Sequence, residues 1–148
     1  MAERGSGAFS AEEKAAMKAR ASEERAARRA STAAAKKAAD RQALLDAIAA
    51  MPDDERAIAE RIRAVVSEVA PDLDPKTYYG MPAWAKDGKT LCFFQPASKF
   101  NVRYSTFGFE QAANLDDGTM WPTSYAITQL TPDAEKRVAA LVRQAVSS

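Results

Sequence analysis

Four carboxylates fall within eight positions, Asp53, Asp54, Glu55 and Glu60. Carboxylate oxygens are hard ligands of the kind that iron, magnesium and calcium take. Asp72 with Asp74, and Asp116 with Asp117, offer two further acidic pairs. Each group also has an architectural use: a helix start, a connection bounded by prolines, and a turn. Both uses stay open for Asp53, Asp54, Glu55 and Glu60.

Aromatic and cationic residues make a second constellation. Tyr79, Met81, Trp84, Tyr104 and Trp121 accompany Arg103, with Tyr78, Phe93, Phe94, Lys89 and Lys99 nearby in sequence. Arg matches a carboxylate fork, so Arg103 between aromatic walls could hold a small anion or a peptide. The competing use is an aromatic core with Arg103 paired to an acid at its rim.

Other chemistry is excluded by composition. The chain has no histidine and a single cysteine, Cys92. Ser-His and Cys-His nucleophile pairs are therefore absent, and no disulfide or cysteine-rich zinc site can form within one chain. Gly88-Lys89-Thr90 ends like a phosphate loop, but that loop needs a glycine five residues before Gly88, where Ala83 stands. These features predict a non-enzymatic protein. No apolar run approaches the ~20 residues of a membrane span, and the expected location is the cytoplasm.

The elements that must position these residues change character near residue 40. Residues 1–42 carry ten Lys/Arg and six Asp/Glu, whereas the remainder carries eleven and fourteen. Between Ser10 and Ala39 alanine dominates, and Met17 is the one large apolar side chain. Ala, Glu, Lys and Arg favour helix, and Ser10 with Glu13 forms a capping box that Phe9 could staple. The pattern predicts a long charged helical arm over residues 1–39, extended or partly disordered, with no apolar stripe to bury. Acids interleave with the bases along the sequence and no aromatics accompany them, so nucleic acid is not expected. The arm is the expected seat of a protein partner, and self-association stays open.

Residues 40–148 read as a folded domain. Leu44, Leu45, Ile48 and Met51 share a helical face that Pro52 ends. Asp53-Asp54-Glu55 opens a second helix with Ile58, Ile62, Val65, Val66 and Val69 on its buried side, closed by Pro71. Residues 82–86 and 89–95 flank Asp87-Gly88, a hairpin signal. A third strand over 100–105, a short helix over 108–114, a turn in L-D-D-G and a strand in S-Y-A-I-T follow. Thr131-Pro132-Asp133 starts the last helix, with Val138, Leu141, Val142 and Ala145 inward. This order predicts an α+β fold, an antiparallel sheet of about four or more strands with helices on one face.

Several segments carry a family likeness in order: Y-G-M-P-A-W (79–84), D-G-K (87–89), C-F-F-Q (92–95), K-F-N-V-R-Y-S-T-F-G-F (99–109), L-D-D-G-T-M-W-P-T (115–123) and L-V-R-Q-A-V near the end. Over roughly residues 40–146 the chain resembles the YdhG-like family of domains of unknown function. The resemblance implies a small cytosolic α+β protein with a frataxin-like fold. At least one member is described as an iron chaperone, which implies iron held by surface carboxylates. The acids near Asp53, Asp54, Glu55 and Glu60 are the expected ligands on that reading. The alternative is a small-anion or peptide-binding module built on Tyr79, Met81, Trp84, Arg103, Tyr104 and Trp121.

Overall fold

The structure is a computed structural model, and the residues it describes are 10–148. The chain divides into two compact units, Met1–Lys36 and Lys37–Ser148. Helix α1 spans Ala11–Ala49, one element where the sequence suggested a break near residue 40. Its start is the expected capping box: Ser10 N–H donates to Glu13 Oε1 at 3.0 Å, and Glu13 N–H donates to Ser10 Oγ at 3.1 Å. These bonds satisfy two otherwise orphaned donors, and hydrogen bonding of the Glu13 carboxyl to the Ser10 backbone N–H, then to the Ser10 side chain, lowers its pKa. The staple position Phe9 lies outside the described residues. From Ala11 to Lys36 every side chain is exposed save the half-buried Ala21, as expected of a helix without an apolar stripe.

Within residues 37–148, Leu44 and Ile48 near the end of α1 are buried. Helix α2 (Asp53–Val69) follows, its three leading acids facing the positive end of its dipole. Ala59, Ile62, Val65 and Val66 form its buried stripe. At the other end of the chain lies α4 (Pro132–Ala145), and Thr131 caps it by accepting from Ala134 N–H at 3.2 Å. The Arg61 guanidinium forks onto Glu135 and cross-links α2 to α4. Among the described residues no helix is long and apolar enough to cross a membrane.

Five strands form one antiparallel sheet in sequence order: β1 (Asp74–Tyr78), β2 (Met81–Lys86), β3 (Lys89–Gln95), β4 (Ser105–Phe109) and β5 (Ser124–Ile127). Two hairpins share one turn chemistry. Asp87-Gly88 joins β2 to β3 with φ of 51° and 80°, as its sequence predicts. Tyr79-Gly80 joins β1 to β2 with φ of 51° and 77°. The sequence offered no strand before residue 82, and β1 is therefore a correction. Gly80 suits this conformation, whereas a tyrosine in it is uncommon.

The stretch 100–105 is not a strand. Residues Ala97–Phe100 form a single helical turn, α3, and Asn101 ends it in the left-handed conformation at φ 52°. The chain then turns, and pairing begins at Ser105. The helix expected over 108–114 is likewise replaced by the end of β4 and an irregular connection. Alternating residues cause the first error, because Val102 and Tyr104 mimic strand spacing while both are exposed.

One sheet face carries Trp84, Cys92, Phe94, Phe107, Phe109 and Ile127, which join Leu44, Ile48 and the buried stripes of α2 and α4 in a single core. The architecture is thus α+β, with three helices against one face. On the other face Ala83, Phe93 and Gly108 lie in one cross-strand row. A Cβ at Gly108 would stand 2.4 Å from the Phe93 ring, so glycine there lets the ring lie across the strand.

Candidate functional site

The acids proposed as metal ligands share helix α2 but have separate local duties. Asp53 Oδ1 accepts from Arg56 Nη2 at 2.8 Å, and Asp54 Oδ1 accepts from Glu55 N–H at 2.9 Å. Glu55 is buried, and both its oxygens are engaged by Ser98: Oε1 accepts from the hydroxyl at 2.7 Å and Oε2 from the backbone N–H at 3.2 Å. This carboxylate therefore anchors α3 to α2. Glu60 is exposed on the same helix. Among the described residues no group of three or more His, Cys, Asp or Glu side chains is placed to hold a metal ion.

The aromatic constellation is divided by the fold. Trp84, 1 % exposed, belongs to the helix-side core. Met81 is buried on the opposite face, opposite Tyr78 in the ladder. Tyr79 occupies the hairpin turn and is 80 % exposed. Arg103 and Tyr104 sit in the connection before β4, the guanidinium carbon 5.1 Å from the ring centre. Trp121 lines a different hollow, with Phe109, Glu110, Leu115 and Asp116. The six residues therefore line no common cavity. Register puts Trp84 and Met81 on opposite faces, and without a strand over 100–105 Arg103 has no sheet face to share with either.

Two arrangements went unread in the sequence. In the first, Tyr78 donates its hydroxyl to Glu110 Oε2 at 2.5 Å, and its ring meets those of Tyr79 and Phe93 at 4.7 and 5.6 Å. The hydrogen bond to Glu110, then burial and the Glu110 charge, raise the Tyr78 pKa to about 12. In the second, β5 and α4 bound a groove of about 670 Å³. Phe107, Ile127, Val138 and Leu141 give it an apolar floor, and Ser124, Asp133 and Arg137 supply polar groups. The Arg137 guanidinium carbon lies 5.6 Å from the Tyr125 ring centre, a cation–π distance.

The groove has the size and character of a ligand site, apolar with a few polar groups. It also lies along a sheet edge, since β5 ends the strand order. An edge strand presents unpaired N–H and C=O groups that an extended peptide can use. Little in the sequence marks it. Tyr125 and Arg137 are twelve residues apart and become neighbours only when α4 returns to the sheet. No protein-family model matches the chain, and neither a curated protein nor a solved structure matches it.

Proposed function

We propose that residues 37–148 form a non-catalytic binding module whose ligand seat is the groove between β5 and α4. The observation that carries this reading is Arg137 stacked on Tyr125 over an apolar floor beside an edge strand. The ligand class that fits is an extended peptide bearing a carboxylate. Its main chain would pair along β5, an apolar side chain would enter the floor, and its carboxylate would meet Arg137. The absence of histidine supports a non-catalytic role, as does the burial of Cys92, which pushes its thiol pKa up and keeps it from reacting.

Titrating the isotope-labelled full chain with a capped hexapeptide of alternating Val and Glu tests the proposal by NMR. Shifts are expected at Ser124–Ile127 and along the first three turns of α4. Arg137→Gln should weaken binding about tenfold, as loss of one charge-assisted hydrogen bond predicts. Shifts confined to other elements, or none at millimolar peptide, would remove the reading.

Membership of the YdhG-like family, and the iron carriage it implies, has a narrower basis, the motif resemblance alone. Asp53, Asp54, Glu55 and Glu60 would be the ligands, and Glu55 would first have to release Ser98. Anaerobic calorimetry with ferrous iron separates the two proposals. Binding heat that disappears in Asp53→Asn/Asp54→Asn/Glu60→Gln favours iron, and no heat at millimolar iron removes it.

A further inference from the structure

The charges of α1 interleave along the sequence but part company on the helix surface. At about 100° per residue, Lys14, Lys18, Arg25, Arg28, Arg29 and Lys36 all project within an arc of roughly 100°. Glu12, Glu13, Glu23 and Glu24 all lie roughly 90° or more from the centre line of that arc. Arg20 falls among the acids and pairs with Glu24 at 3.7 Å. Arg25, Arg28, Arg29 and Lys36 line a shallow trough with Thr32 and Ala33. Interleaving was the main ground for not expecting nucleic acid, and helical placement removes it.

We propose that this basic face of α1 binds the sugar–phosphate backbone of a nucleic-acid duplex, without regard to sequence. The cations are spread along the helix rather than gathered at one point, which matches a regular linear polyanion. From Lys14 to Lys36 the stripe is about 33 Å long, close to the ~34 Å of one duplex turn. The residues set between the cations are small, Ala21 and Thr32 among them, so the helix can approach a groove closely. Two other anionic partners fit less well. An interfacial membrane helix needs an apolar face, and Met17 is the one large apolar side chain between Ala11 and Lys36. A single strand is held by aromatic stacking, and that segment has no aromatic residue.

The test is fluorescence anisotropy of a labelled duplex of 24 base pairs with the full chain, over a series of salt concentrations. Six phosphate contacts predict a log–log slope of about −5, and an affinity about a thousandfold weaker at ~200 mM than at ~50 mM salt. Arg25→Gln/Arg28→Gln/Arg29→Gln should reduce the slope by about 3, and Lys14→Gln/Lys18→Gln by about 2. Gln keeps a high helix propensity, which circular dichroism verifies for both variants. Arg20→Gln, on the acidic side, should leave binding unchanged. The proposal is overturned if the duplex does not bind at ~25 mM salt, where counterion release is most favourable. An equal loss in Arg20→Gln overturns it too. So does binding of poly-glutamate, or of vesicles rich in phosphatidylserine, as tight as that of the duplex.

Discussion

Helix α1 before Lys37 and helix α2 are both rich in charge, yet they use it differently. In α2 several charged groups have structural partners: Asp53 holds Arg56, Glu55 holds α3 through Ser98, and Arg61 holds Glu135 of α4. Between Ala11 and Lys36 the side chains are almost all exposed, and all the bases but Arg20 share a face away from the acids. A charge that caps or cross-links is fully accounted for by the fold. A run of like charges on an exposed helix face is open to explanation by a partner, and the basic stripe invites that explanation more than the acids of α2 do.

The contrast can be broken first at Trp84. If it is core rather than pocket wall, Trp84→Ala should cost ~3–5 kcal/mol, as large-to-small changes at fully buried aromatics do. Urea unfolding measures it. A loss below ~1 kcal/mol would show that the site tolerates emptying, as a ligand-lined wall would.

Glu55→Ala comes next, at ~1.5–3 kcal/mol for a buried carboxylate that accepts two hydrogen bonds. Its loss and that of Ser98→Ala should not add fully, because both remove the hydroxyl–carboxylate bond, while Ser98→Ala keeps the backbone N–H bond. Full additivity in a double-mutant cycle would show that the Ser98 hydroxyl does not hold the Glu55 carboxylate.

These cases show what the sequence made legible. Helices α2 and α4 were readable because their apolar periodicity and their Pro and Thr boundaries agree, whereas the four-residue α3 is too short to show any period. The hairpin at Asp87-Gly88 was readable because both residues favour positive φ. Tyr79-Gly80 makes the same turn, but a tyrosine gives no such cue, and Pro75 and Pro82 argue against strands around it. Both prolines do lie in the ladder, Pro75 opposite Trp84 and Pro82 opposite Thr77. Trp84 could be named as core or wall, but the choice depends on which sheet face it takes, and that is set by register. The β5–α4 groove was illegible for a related reason. Arg137 is one of several exposed cations on α4, and only the tertiary apposition of Tyr125 distinguishes it.

A smaller effect follows from Tyr78. Its phenol pKa is raised from 10.0 to about 12 in the folded chain, so folding favours the protonated form. The stability this contributes is fully present below pH ~10 and is lost as pH rises through the folded value. Melting temperatures between pH 9 and 12 should fall more steeply for the parent than for Tyr78→Phe. Parallel curves would show that the Glu110 contact does not survive in solution.

The smallest expected change in stability is removal of residues 1–36. Leu44 and Ile48, the buried residues of α1, remain in the shortened chain. The described residues lost, 10–36, are exposed save the half-buried Ala21, and the surface pair Arg20–Glu24 is worth ~0.3–0.5 kcal/mol at most. That pair stabilises the removed segment itself, so its loss need not reach the core. The new helix start at Lys37 leaves unsatisfied N–H groups, but they face water and fray at little cost. Scanning calorimetry should therefore place the shortened chain within roughly 2 °C of the parent, the shift expected for a few tenths of a kcal/mol. A drop of more than ~5 °C would mean that the segment contributes to the core's stability. The charge pattern of α1 would then answer to packing as that of α2 does, and the contrast between the two helices would fail.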